Sequence, residues 1–324
     1  MSCRLKYALK YFSTSKKLAE VDEIIIKYDE TTPLDHLTWF ATEKCKPEQR
    51  LVINFDITDV LVDYSDKNGD STFLEKAEEY LAEEVEKIKV VKEQHPNIAI
   101  KLETTFGKVV YDFVKMLKDN EIPFFLRYYP RTIAEIKALV DYGVSDIYIT
   151  EYLAFYMTEI ADKVVPEEVN IRVYPNVSQI PSLCSLTESE EDIKSFFIRP
   201  EDLDVYEDYV DIIEFYGSID KQDVLMDIYK DGYWMGNLNE LILNFKEDIN
   251  CMNLMPDFGF YRLACGHRCD LGRCNYCDIS KSLAGELRNK DIYIKKTGKK
   301  KRDEYNANEE SGFDEGAEAI QVST

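Results

Sequence analysis

Asn97-Ile-Ala-Ile-Lys-Leu102, Pro123-Phe-Phe-Leu-Arg127 and Asp146-Ile-Tyr-Ile-Thr150 are short apolar runs separated by helix-sized intervals. Between the second and third lies Arg131–Tyr142, whose helical pattern ends at Gly143, the residue type that best tolerates the left-handed turn after a helix. Continuous rather than alternating apolar runs suit strands covered on both faces. The regular exchange of strand and helix in 97–150 therefore predicts parallel β-α units.

Working outward, the same unit recurs. Glu23-Ile-Ile-Ile-Lys-Tyr28 and Arg50-Leu-Val-Ile-Asn-Phe55 precede it; Asn170-Ile-Arg-Val-Tyr174, Ser195-Phe-Phe-Ile-Arg199 and Asp211-Ile-Ile-Glu-Phe215 follow. Helices are expected over 33–41, near 72–92, 106–119, 152–163 and 218–231, with one more opening at Pro200-Glu-Asp-Leu203. Eight units predict a (β/α)8 barrel over residues 23–235, with an open doubly wound sheet as the alternative. Residues 1–22 are expected to add an N-terminal helix, because Leu5, Ala8, Leu9 and Phe12 of the 4–20 stretch fall on one helical face. A helix and a cysteine-rich segment are expected over 236–287. Residues 288–324, with Lys295-Lys-Thr-Gly-Lys-Lys-Lys-Arg302, have the composition of a disordered tail.

Composition narrows the function. Against 40 Lys and Arg stand 62 Asp and Glu, a formal charge of −22. Such a surface repels phosphate backbones, which disfavours nucleic acid, but it suits a protein partner, as does the tail. No stretch approaches the roughly 20 apolar residues of a membrane span, and the N-terminus lacks a signal peptide's apolar region, so a cytoplasmic protein is expected. No glycine-rich dinucleotide fingerprint or P-loop is present.

Four of the eight cysteines, Cys265, Cys269, Cys274 and Cys277, form a C-x3-C-x4-C-x2-C run. Four thiolates this close suit a metal centre, either a 4Fe-4S cluster or Zn. The run lies beyond the last unit, whereas a radical SAM cluster would follow the first strand. In a barrel the reacting groups sit at the C-terminal strand ends. Those ends carry Lys27, Asn54, Asp56, Lys101, Arg172 and Tyr174; the favoured catalytic candidates are Glu103, Arg127, Glu151, Arg199 and Glu214, since paired Arg and Glu can bind an anion and move a proton.

Phe196-Phe-Ile-Arg-Pro-Glu-Asp-Leu203 entering a late helix, with a cysteine cluster after the barrel, resembles the collagenase-like peptidase superfamily, whose members are associated with proteolysis, RNA hydroxylation and iron–sulfur clusters. The barrel rim and the cysteine run together predict a metal-containing barrel enzyme acting on a small-molecule or peptide-like polar substrate at the C-terminal rim. The alternative is a non-catalytic, zinc-stabilised interaction scaffold.

Overall fold

The computed structural model describes residues 5–11, 15–28, 33–58, 73–103, 107–149, 157–176, 198, 200–217 and 219–241. Among these residues the eight strands are β1 (Lys6–Lys10), β2 (Glu23–Tyr28), β3 (Arg50–Phe55), β4 (Ile98–Leu102), β5 (Phe124–Leu126), β6 (Asp146–Tyr148), β7 (Asn170–Val173) and β8 (Ile212–Glu214). All paired strands are parallel, and β1 lies between β2 and β8. The ladders run from β5 round to β6. The seam between those two is bridged by the Ser145 amide, which donates to the Phe124 carbonyl at 2.8 Å. The result is a nearly closed (β/α)8 barrel.

The helices are α1 (Leu34–Glu43), α2 (Phe73–Gln94), α3 (Lys108–Asp119), α4 (Ile133–Asp141), α5 (Met157–Lys163), α6 (Ile219–Asp231) and α7 (Leu238–Leu241). Their sequences explain how they pack. On α3 the buried residues are Val110, Phe113, Val114 and Leu117, the i, i+3, i+4, i+7 stripe of a helix lying on a sheet. The Thr132 hydroxyl caps α4 by accepting from the Glu135 amide, and Gly143, at φ +80°, turns the chain out of it.

Two corrections concern the strands. The expected N-terminal helix is instead β1, which belongs to the barrel. Tyr7, Ala8 and Leu9 are all buried: Ala8 packs with the interior residues, and Tyr7 and Leu9 pack with the outer core. A short run buried on both faces mimics one turn of an apolar helical face. The expected strand 195–199 falls largely outside the described residues. Ile198, its one described residue, is buried outside any strand, and its amide donates to the Pro175 carbonyl at 2.9 Å. The expected cysteine segment and tail also lie outside the described residues.

Alternate strand residues face two different environments. The outer set packs under the helices in one large apolar core. The inner set is small: Ala8, Ile25, Val52, Ala99, Phe125, Tyr148, Tyr174 and Ile212. Barrel interiors are usually filled by branched aliphatics. Here two alanines leave space that long charged side chains occupy.

Candidate active site

Among the described residues, six charged side chains fill the barrel interior. Glu23, Asp146 and Glu214 carry three negative charges; Arg50, Lys101 and Arg172 carry three positive ones, so this group is neutral. All but Arg50 are buried, and Arg50 keeps only 15% side-chain exposure. Burying ions is costly unless they are paired and hydrogen-bonded, and each of these is.

The lower half, toward the N-terminal strand ends, centres on Arg172. Its guanidinium donates to both Glu23 oxygens and, at 3.0 Å, to Asp146 Oδ1. Arg50 grips Asp146 with two bonds of 2.7 Å, and the Ser145 hydroxyl adds a third donor at 2.6 Å. Burial alone would raise the Asp146 carboxyl, but the two arginines outweigh it and hold it at about 2.

The upper half centres on Glu214. Lys101 Nζ donates to Glu214 Oε1 at 2.7 Å and to the Tyr174 hydroxyl at 2.8 Å. The Tyr174 hydroxyl donates to Oε1 at 2.6 Å and that of Tyr148 to Oε2 at 2.8 Å. Arg172 reaches Oε2 at 3.2 Å and joins the two halves. Against the upward push of burial, Lys101 and Arg172 hold the Glu214 carboxyl at about 2. Burial, then the Glu214 charge, raises both tyrosines well above the ordinary phenol range, so they stay protonated donors. Burial lowers Lys101 more than Glu214 raises it.

Above this lies the mouth at the C-terminal strand ends. Arg127 donates to Glu103 Oε2 at 2.6 Å and, through Nε, to the Tyr129 hydroxyl at 3.0 Å. Burial disfavours the Arg127 charge, but the Glu103 and Tyr129 contacts raise its pKa overall. Lys10 Nζ sits 4.4 Å from the centre of the Tyr216 ring, and Arg127 lies 5.8 Å from that ring. Asn176 fixes Tyr216 by two reciprocal bonds with its backbone, 2.7 and 3.1 Å long. Tyr129 packs on Tyr148 at 5.5 Å, so the mouth rests directly on the buried set. Asn54 is buried beside Lys101 in the β3–β4 register, and its Oδ1 has no hydrogen-bond partner among the described residues.

A cleft of about 430 Å³ opens at the other pole, lined by Lys6, Glu23, Arg50, Asn97, Ser145 and Asn170 among others. In barrels of this kind the reacting groups sit at the opposite end. The mouth is therefore the stronger candidate.

Of the expected catalytic residues, Glu103 and Arg127 meet at the mouth, and Glu214 lies below them in the interior. Glu151 and Arg199 lie outside the described residues. Glu23, Asp146 and Tyr148 were not among the strand-end residues, and Lys101, Arg172 and Tyr174 were noted there without being favoured. Their signal was available: a charge inside an apolar strand run, as in Ile-Lys-Leu at 100–102 and Ile-Arg-Val at 171–173, at the inward-facing parity.

No family model matches the chain, and neither does a curated protein sequence. Solved structures do match. Tryptophan synthase from M. tuberculosis shares 8% identity at a TM-score of 0.42, over 75% of this chain and 94% of that one. A mutant tryptophan synthase alpha-subunit from the hyperthermophile Pyrococcus furiosus shares 9% at 0.43, over 74% and 98%. A protein from Aquifex aeolicus shares 12% at 0.43, over 71% and 94%.

These findings correct the expected family and the chemistry drawn from it. The matched structures above include tryptophan synthase chains, not collagenase-like peptidases. The iron–sulfur, zinc and peptidase-like expectations fall with that family, and the zinc-stabilised scaffold falls with them. Cys265, Cys269, Cys274 and Cys277 lie outside the described residues. Among the described residues no group of three or more His, Cys, Asp or Glu is placed to hold a metal ion, and no helix is long and apolar enough to cross a membrane.

Proposed function

We propose that this chain is an enzyme performing acid–base chemistry on a small molecule that bears a carboxylate or phosphate, bound at the C-terminal mouth of the barrel. One observation carries the reading: a buried Lys101–Glu214–Tyr174–Tyr148 set lies directly beneath the Arg127–Glu103 pair. Arg127 is the anion-binding group, since a guanidinium matches the planar fork of a carboxylate or phosphate. A substrate anion that takes Arg127 releases Glu103 next to the bound molecule, where the freed carboxylate can accept a proton. Tyr129 orients the guanidinium through its 3.0 Å contact. Tyr148 and Tyr174, kept protonated by burial, supply protons from below. Glu151 and Arg199 stay candidate contributors on the sequence argument alone.

The test is thermal melting of the full chain with a panel of carboxylate- and phosphate-bearing metabolites. At least one should raise Tm, and Arg127→Gln should weaken its binding at least about tenfold, the scale of a charge-assisted hydrogen bond. A panel with no effect, or an Arg127→Gln chain that binds as well as the parent, would sink the reading.

A further inference from the structure

We propose that Lys101 is a nucleophile that condenses with the carbonyl group of an anionic ketone or aldehyde to form a protonated imine. The proposal deepens the reading of the mouth as the substrate-binding pole and rests on it.

Geometry comes first. Lys101 lies near the C-terminal end of β4 and points into the barrel, and its side chain is fully buried. Its amine touches a carboxylate and a phenol hydroxyl, at 2.7 and 2.8 Å. A structural ion pair needs only the carboxylate. The phenol, itself bonded to the same Glu214 oxygen at 2.6 Å, adds a route for a proton between nitrogen, carboxylate and an oxygen bound nearby. Lysines are activated as nucleophiles by desolvation in such surroundings, and burial does lower the Lys101 pKa.

The step balances without an added reactant. The Lys101 ammonium lends a proton to Glu214, and the freed nitrogen attacks the carbonyl carbon. The carbonyl π bond becomes an alkoxide, which takes a proton from Tyr174. The attacking nitrogen, now cationic with two hydrogens, gives one of them to the Tyr174 phenolate, which restores the phenol and frees the nitrogen lone pair. The proton Glu214 holds then goes to the hydroxyl, which leaves as water while that lone pair forms the C=N bond, and the nitrogen keeps its last hydrogen. Overall, ammonium plus carbonyl becomes iminium plus water. One positive charge stays on the nitrogen, so Glu214 is its counter-ion at both ends of the step.

A second, independent observation points to a ligand. Asn54 pairs in register with Lys101 on the neighbouring strand, and its Oδ1 is buried without a partner among the described residues. An unsatisfied buried acceptor is unfavourable in the free protein. A hydroxyl of a bound molecule would satisfy it. Arg127 above selects the anionic group, so the substrate class is a 2-oxo acid or a phosphorylated ketone or aldehyde.

The experiment incubates the full chain with pyruvate or with dihydroxyacetone phosphate in the presence of sodium cyanoborohydride, followed by intact mass and peptide mapping. Expected is one reduced adduct per chain, mapped to Lys101, for at least one of the two probes. Tyr174→Phe should slow its formation at least about tenfold, the contribution of a positioned general acid. Lys101→Met should abolish it; if that variant fails to fold, the map of the parent chain decides. A probe that raises Tm in an Arg127-dependent way but leaves Lys101 unmodified overturns the imine and spares the binding site. Neither probe binding or labelling overturns the imine assignment, while the metabolite panel decides the binding site separately.

Discussion

At the scale of single residues, the interior charges behave as a set. Replacing a whole buried ionic group by apolar residues is often neutral, whereas removing one member leaves its partners uncompensated and costs about 3–5 kcal/mol. Glu214 accepts from Lys101, Tyr148, Tyr174 and Arg172 at once. Glu214→Gln is therefore expected to lower stability by about 3–5 kcal/mol in urea titration. Glu103→Gln breaks a pair whose Arg127 side chain is 35% exposed, so it should cost about 1 kcal/mol or less. Equal losses would show that the interior set is not cooperative. The site was partly legible in the sequence. Glu103, Arg127 and Glu214 each follow or end an apolar run, which is where a barrel displays its chemistry. Glu23 and Asp146 were not legible because they begin their strands, where a charge ordinarily marks the chain leaving the core. Curling of the sheet brings Glu23 to Arg172 across 149 positions of sequence, and the β6–β7 ladder brings Asp146 to it across 26. Cys45 shows the reverse. It sits 3.5 Å from His95, the spacing of a reactive thiol pair, yet burial, reinforced by Glu48, pushes its thiol up to about 12. Iodoacetamide at neutral pH should leave Cys45 unmodified in the folded chain and label it in urea; rapid labelling without urea would contradict its burial.

At the scale of elements, local chemistry was legible wherever it was self-contained. α4 is the clearest case: Thr132 caps its start, and the Glu135 carboxylate reaches back to the Arg131 amide at 2.8 Å. Gly143 ends it in a left-handed conformation, with no atom nearer than 3.7 Å to an added Cβ. Space is thus available there, and only backbone strain opposes a side chain. Thr132→Ala and Gly143→Ala should each cost about 1 kcal/mol, seen as a lowered Tm. A neutral Gly143→Ala would mean that the turn relaxes out of the left-handed region. β1 was not legible, because its identity is not local. Tyr7-Ala-Leu9 has no alternation and no flanking turn signal. It is a strand because β2 and β8 supply its partners, with Ala8 opposite both Glu23 and Glu214. That position also explains the alanine, since a larger side chain there would crowd the two carboxylates.

At the scale of the whole molecule, the chain has a formal charge of −22 while its buried ionic set is neutral, and acid acts on the two in opposite directions. Surface carboxylates repel one another, so protonating some of them between about pH 7 and pH 5 relieves repulsion and raises stability. The interior responds with the other sign. Asp146 and Glu214 are held at about 2, below the ordinary values near 4 for Asp and Glu. A depressed carboxyl contributes stability that is fully present above its unfolded pKa and is lost as pH falls toward its folded one. Each shift corresponds to roughly 2–3 kcal/mol, lost between about pH 5 and pH 2. Stability plotted against pH should therefore pass through a maximum near about pH 5. The two arms differ in their response to salt. Exposed charges are screened at an ionic strength of about 0.5 M, whereas buried pairs are screened far less. Added sodium chloride should flatten the arm above the maximum and leave the acid arm in place, and Glu214→Gln should shallow the acid arm alone. Urea titrations across this pH range at low and high salt measure both arms. An acid arm that salt also removes would place the decisive carboxylates on the surface rather than inside the barrel.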